Sequence, residues 1–273
     1  MLSVLIPAFN EEKNLPATVE ALLLVLRREA LAFEIVIAND NSRDGTRNVA
    51  LDLVRSNAEV VLVDNVPPGG FGRVVRLGLS SFVGDAVAIV MADSSDDPED
   101  VVRCYRKLEE GYDCVFGSRF RPGSIVVGYP PLKLAVNRIV NKMLQLLFLT
   151  PFNDLTNAFK VYRRSAIDGI RPLGGCHFNI TIEMSLSCVI RRYKIAEVPI
   201  HWYGRKWGAS SLKLSQMGRR YLATLLKIWF ERLLISDDVM LDAEHSGSLP
   251  AGARRIDQAA LQTLLADSGV ERA

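Results

Sequence analysis

Four short apolar segments, each cut off by a polar loop and followed by an amphipathic stretch, constrain this chain more than any other feature. Residues 3–6, 34–38, 59–63 and 86–91 read as strands. Between them, Leu15, Val19, Leu22, Leu23 and Leu26 fall on one helical face, and Val49, Leu51 and Val54 continue a second helix. A helix near 99–110 and a strand at 114–116 extend the rhythm. Alternation of this kind predicts an α/β fold, a mainly parallel sheet with flanking helices and right-handed crossovers. Parallel strands bring their carboxyl ends to one edge, where open α/β sheets bind ligands. Three polar loops belong to that edge: residues 7–11, 39–44 and 92–97.

The third loop is the most acidic. Ala88-Ile89-Val90-Met91 runs into Ala92-Asp93-Ser94-Ser95-Asp96-Asp97-Pro98, and Pro98 suits the first turn of a helix. Carboxylates at a strand end attract hard divalent cations, and Mg²⁺ commonly takes one or two carboxylates plus substrate phosphates. Asp96 and Asp97 fit equally well as a helix N-cap, with Glu99 and Asp100 favouring the helix dipole. Asp93, still on the strand end, is the stronger ligand candidate.

The 273 residues are 49% hydrophobic with a net charge of +2. That balance supports a sizeable core but no general polyanion-binding field, and no basic patch interleaved with aromatics argues for nucleic acid. The four cysteines lack metal-site spacing and read as buried thiols of a reducing compartment. The N-terminus lacks a basic signal-peptide region, and no long uncharged apolar run suggests a bilayer span. These features predict a cytoplasmic protein. Gly69-Gly70-Phe71-Gly72 does not complete a dinucleotide fingerprint, because Val75 stands at the third glycine position; a structural turn is the expectation. Three scattered histidines make a histidine-based site improbable.

Beyond Gly117 the rhythm changes. Residues 132–149 form an amphipathic helix with the polar stripe Lys133, Asn137, Asn141 and Gln145. Residues 216–235 form another, with Gln216, Arg220, Thr224, Lys227 and Glu231. Both suit a bilayer interface, but core packing or a homodimer face would leave the same pattern. Strands at 159–162 and 197–201 flank a helix near 181–191. The expected organisation is a domain over 1–235 and a polar, mobile tail over 236–273 with a weak helix near 256–265.

Several motifs carry a family resemblance. Ser3-Val4-Leu5-Ile6-Pro7-Ala8-Phe9-Asn10-Glu11, Asp40-Asn41-Ser42-Arg43-Asp44-Gly45-Thr46 and Met91-Ala92-Asp93 resemble the family 2 glycosyltransferases of the GT-A (Rossmann-like) fold. Gly117-Ser118-Arg119-Phe120, the run from Asp154 to Arg163, Glu197-Val198-Pro199-Ile200 and Arg205-Lys206-Trp207-Gly208-Ala209-Ser210 are similar to a narrower group, the polyprenyl- and dolichyl-phosphate sugar synthases. The resemblance spans about residues 2–235.

It implies an inverting hexosyltransferase at a membrane surface, taking mannose or glucose from a GDP- or UDP-sugar to a polyprenyl phosphate. Pro7, Phe9, Glu11, Ala38, Asp40, Ala92, Asp93, Ser95, Arg119 and Arg205 would hold the nucleotide sugar. Asp93, with Ser95 beside it, would bind Mg²⁺ or Mn²⁺. Lys133, Asn137, Arg138, Ser210 and Lys213 would face the acceptor phosphate. Asp93, Arg119 and Asp154 would carry catalysis, Asp154 either positioning groups or acting as a base. The implied location is peripheral, on the cytoplasmic face of the membrane. Two departures stand out: Met91 replaces the first carboxylate of the usual Asp-x-Asp, and Ser211 replaces a lysine, with Lys213 two residues on. A soluble acceptor is one alternative. A nucleotide-sugar-binding protein whose catalysis has lapsed is another.

Overall fold

The computed structural model describes residues 1–205, Trp207 and residues 214–235, without the side chains of 214–217. By contacts the chain divides into Met1–Trp229 and Phe230–Ala273; of the second unit only the end of a helix, to Ile235, is described. In order, the elements are β1 (Leu2–Ala8), α1 (Leu15–Arg28), β2 (Phe33–Asn39), α2 (Thr46–Ser56), β3 (Val60–Asp64), α3 (Phe71–Ser81), β4 (Ala86–Ile89) and α4 (Pro98–Glu109). There follow β5 (Cys114–Ser118), β6 (Ile125–Val127), α5 (Pro131–Phe148), β7 (Lys160–Arg163), α6 (Arg164–Gly169), α7 (Asn179–Ile190), β8 (Ile195–Pro199), β9 (His201–Tyr203) and α8 (Leu214–Leu234).

Seven strands form one sheet in the order β3-β2-β1-β4-β7-β5-β8, and β6 pairs with β9 in a separate ribbon. The first four strands are parallel, as the alternation predicts. β7 is the exception, running antiparallel to both β4 and β5. Every residue of β1 is buried, which explains its nearly all-apolar sequence; the exception, Ser3, donates its hydroxyl to Glu34. Side-chain alternation divides that burial between two layers. Val4 and Ile6 join a cluster with Leu15, Val19 and Leu22 of α1 and Cys104 and Leu108 of α4. On the opposite face, Leu5 lies so close to Gly78 of α3 that a Cβ there would meet it.

Two sequence expectations are corrected. β4 stops at Ile89, so Val90 and Met91 lie in the loop and not in the strand. The expected strand at 197–201 is two strands, with β9 in the ribbon. The amphipathic helices face the other way from ordinary surface helices. In α5 the polar stripe turns inward, with Asn141 buried, while Leu132, Ile139, Met143, Leu146 and, just past the helix, Leu149 are exposed. In α8 Thr224 is buried and Lys227 pairs with the buried Glu183, while Leu222 and Leu226 are exposed. Leu144 and Phe148 of α5 and Leu225 and Ile228 of α8 pack inward, so core packing accounts for those apolar residues and not for the exposed ones. The expected tail and its weak helix lie outside the described residues.

Candidate active site

The carboxyl ends of β1, β2 and β4 meet as expected, and hydrogen bonds stitch the first two loops together. Asn10 N donates to Ser42 Oγ, Glu11 N to Thr46 Oγ1 and Gly45 N to Glu12 Oε2. Asn10 and Asn41 both adopt positive φ, a conformation asparagine tolerates. Pro7, Ala38 and Ala92 are buried along this edge, while Phe9 is exposed beside it.

Asp40 is held from two sides: Oδ1 accepts from Asn65 Nδ2 at 2.8 Å and Oδ2 from Gly70 N at 2.7 Å. The glycine turn singled out in the sequence is therefore the brace of Asp40. Gly70 has φ +150, and a Cβ there would lie 2.5 Å from Cys176 O. Phe71 stacks on Phe178 with centroids 4.3 Å apart, closing the turn from behind.

Three carboxylates of the acidic loop and a fourth in the first turn of α4 have different duties. Asp97 caps α4 by accepting from Glu99 N. Asp100 is buried and accepts from His201 N, which ties β9 to the first turn of α4. Asp96 does not cap; its Oδ2 accepts from Met91 N at 2.9 Å. Burial pushes its pKa up to about 7, the Met91 N–H opposes, and Asp93 adds to the rise. Asp93 Oδ1 accepts from Ser95 N at 3.2 Å, and its Oδ2 accepts from Arg205 Nη2 at 2.7 Å. Arg205 also reaches Glu11 Oε1 at 3.4 Å, and Glu11 Oε2 accepts from Asn14 Nδ2 at 2.6 Å. Burial raises the Glu11 pKa, while Asn14 and Arg205 pull it down.

A second cluster forms where β5 ends. Arg119 is buried and clasped by Asp154: Nε donates to Oδ2 and Nη2 to Oδ1, both at 2.8 Å, and the Arg119 main-chain N donates to Oδ2 at 3.0 Å. Both oxygens of Asp154 serve Arg119, and its side chain is fully buried. Of the two roles left to Asp154, this is the geometry of positioning. The Phe120 ring lies under the guanidinium groups of both Arg119, at 5.4 Å, and Arg138, at 4.7 Å. Asn137 Nδ2 donates to Thr156 Oγ1 at 3.1 Å, as does Asn141 Nδ2 at 3.0 Å. Lys133 lies one turn before Asn137 on α5 and is half-buried. Ser210 and Lys213 lie outside the described residues.

The sequence reading missed what joins the two clusters. Tyr129 hydroxyl accepts from Arg119 Nη1 and Asn137 Nδ2, each at 3.4 Å. Its ring packs on Trp202, 4.8 Å between centroids, and Trp202 bridges to Asp96. Tyr203 N donates to Ser95 O at 2.9 Å. An aromatic residue directly before Pro130-Pro131 was the only local signal.

Fitness for a divalent cation follows from the donor set. Asp93 supplies one carboxylate and Ser95 a neighbouring hydroxyl; the Met91 thioether is a poor ligand for Mg²⁺ or Mn²⁺. Among the described residues no three His, Cys, Asp or Glu side chains converge. One carboxylate fits an ion that arrives with ligand phosphates, the manner in which Mg²⁺ is usually held.

A sheet of this order, with carboxylates and arginines gathered at its carboxyl edge, is the architecture of a GT-A glycosyltransferase. The chain belongs to glycosyl transferase family 2, whose profile matches residues 3–171. It is 26% identical over 220 residues to a polyprenol monophosphomannose synthase of Mycolicibacterium smegmatis, covering 78% of this chain and 82% of that one. Among solved structures it is similar to glucosyl-3-phosphoglycerate synthase from Mycobacterium tuberculosis. The complex of that protein with Mn²⁺, UDP-glucose and phosphoglyceric acid aligns with a TM-score of 0.64 at 19% identity, covering 84% of this chain and 79% of that one. Its UDP complex aligns with a TM-score of 0.63 at 18% identity, covering 84% and 80%. These likenesses agree with the expected fold and with the reading of the chain as a glycosyltransferase.

Proposed function

We propose that this chain is an inverting hexosyltransferase that moves mannose or glucose from a GDP- or UDP-sugar to a polyprenyl phosphate at a membrane surface. The observation that carries the lipid acceptor is α5: Asn137 and Asn141 turn inward while Leu132, Ile139, Met143, Leu146 and Leu147 are exposed. An exposed apolar side chain gains about 1.5–3 kcal/mol when fully removed from water. Exposed Arg138 and Lys142 on the same helix suit anionic headgroups. Among the described residues no helix is long and apolar enough to cross a membrane, so attachment would be interfacial. The named relative supports the same acceptor.

In this reading Asp40, braced by Gly70 and Asn65, accepts from the nucleotide base. Asp93 faces the diphosphate, where a divalent cation, when bound, would neutralise charge on the leaving nucleotide. Arg205 and Arg119 take phosphate oxygens through their forked donors. An oxygen of the acceptor phosphate attacks the anomeric carbon, and the bond from that carbon to the donor phosphate breaks with its electron pair, inverting the configuration. A phosphate monoester is mostly dianionic at neutral pH. Such a nucleophile requires alignment and charge shielding more than a general base, which accords with Asp154 being wholly engaged with Arg119.

The test is a screen of GDP- and UDP-sugars against short polyprenyl phosphates with product masses measured, alongside sedimentation with phosphatidylglycerol liposomes. A hexosyl-phospholipid product is expected, with binding lowered at least tenfold in an Ile139→Glu, Leu146→Glu variant. Transfer to a soluble phosphate ester only, with no sedimentation, would replace the lipid by a soluble acceptor. Nucleotide-sugar binding without transfer to any acceptor would point to a lapsed enzyme.

A further inference from the structure

The cation that holds Asp93 in this structure is a side chain. Arg205 Nη2 lies 2.7 Å from Asp93 Oδ2, and the other Asp93 oxygen accepts the Ser95 N–H. The same guanidinium leans on Glu11. A metal ion at Asp93 therefore needs the oxygen that Arg205 occupies. Met91 sharpens the conflict, because it removes the carboxylate with which such an ion would otherwise share the site. Its main-chain N–H is committed to Asp96, which is itself buried.

We propose that Arg205 and the divalent cation exchange on Asp93. Arg205 is the resident counter-cation of Asp93, and the metal gains Asp93 when a diphosphate draws the guanidinium away. The driving force is the preference of a forked guanidinium for phosphate oxygens over a single carboxylate oxygen. Occupancy sets the size of the effect: if Arg205 covers Asp93 about 90% of the time, metal affinity falls about tenfold. Linkage makes the effect reciprocal, so a ligand that removes Arg205 tightens the metal by the same factor. The identity of the diphosphate as a nucleotide sugar rests on the proposed function; the exchange itself is read with Mn²⁺ alone.

The experiment is a titration of Mn²⁺, read by the electron paramagnetic resonance of the free ion, with no nucleotide present. Wild type, Arg205→Gln, Arg205→Ala, Asp93→Asn and the Asp93→Asn, Arg205→Gln double variant are compared. Loss of Arg205 is expected to tighten Mn²⁺ binding about tenfold, and the gain is expected to vanish in the Asp93→Asn background. Unchanged or weaker binding in both Arg205 variants overturns the exchange. So does an equal gain without Asp93, which marks a general loss of positive charge. Adding UDP or GDP is expected to tighten Mn²⁺ binding more in wild type than in Arg205→Gln. No turnover enters this measurement. Absence of transfer with every donor and acceptor would sink the proposed function alone, and an unmoved Mn²⁺ affinity would sink the exchange alone.

Discussion

The two halves of the site hold their charges by different means. At the carboxyl edge of β1, β2 and β4 the carboxylates of Asp40, Asp93 and Asp96 each accept from a main-chain N–H, from Gly70, Ser95 and Met91. In the cluster beyond β5 a guanidinium does the fixing, with Arg119 and Asp154 enclosed together. Main-chain donors are part of the loop, so substituting Asp40 or Asp96 leaves no ion-paired partner behind, whereas Asp93 also carries the ion pair with Arg205. A buried ion pair is different, because removing one member strands the other.

That contrast is broken most severely at Asp154. Asp154→Ala leaves a buried arginine unpaired and is expected to cost about 3–5 kcal/mol in urea unfolding. A loss below about 1 kcal/mol would mean that Arg119 reaches water and that this cluster is looser than described. Next in size is the pH response of Asp96. Its folded pKa of about 7 lies above the ordinary carboxylate value, so the folded protein retains a proton that the unfolded chain releases. The associated stability is complete below about pH 4 and is lost as pH rises through about 7, on the order of 2–4 kcal/mol. Asp96→Asn should flatten that part of the stability-pH curve relative to wild type; parallel curves would show that Asp96 is ionised throughout. The smallest effect belongs to Gly70→Ala. The added methyl meets Cys176 O in a conformation that L residues avoid, and a cost of about 1–3 kcal/mol is expected. Loosening of Asp40 should accompany it as weaker nucleotide binding by calorimetry, with Mn²⁺ affinity unmoved.

Much of this was legible in the chain and some was not. Apolar runs ending in polar loops located β1 to β4, because both faces of a central parallel strand must be buried. The site residues of the first three loops follow from that topology. Reversal of β7 has no local signature, since a strand's direction depends on where the preceding chain, here α5 and the loop after it, delivers it. The α5 stripe was visible as a period, but a period does not say which side meets water; the Thr156 and Leu155 partners of Asn141 settle it. Asp96 looked like one more capping residue until Met91 N was found on it. The pairing of Arg119 with Asp154 joins residues 35 positions apart, beyond any helical or strand spacing.

The cross-stitching of residues 10–12 to 42–46 has a thermodynamic consequence. Loops that must be ordered by their ligand subtract that ordering from the binding free energy, at about 1–2 kcal/mol for each residue fixed. Here five side chains and main-chain donors already span the two loops, so the ordering is complete at folding. Docking of a ligand at this edge should therefore carry little conformational entropy penalty, and most of the heat it releases should come from new polar contacts.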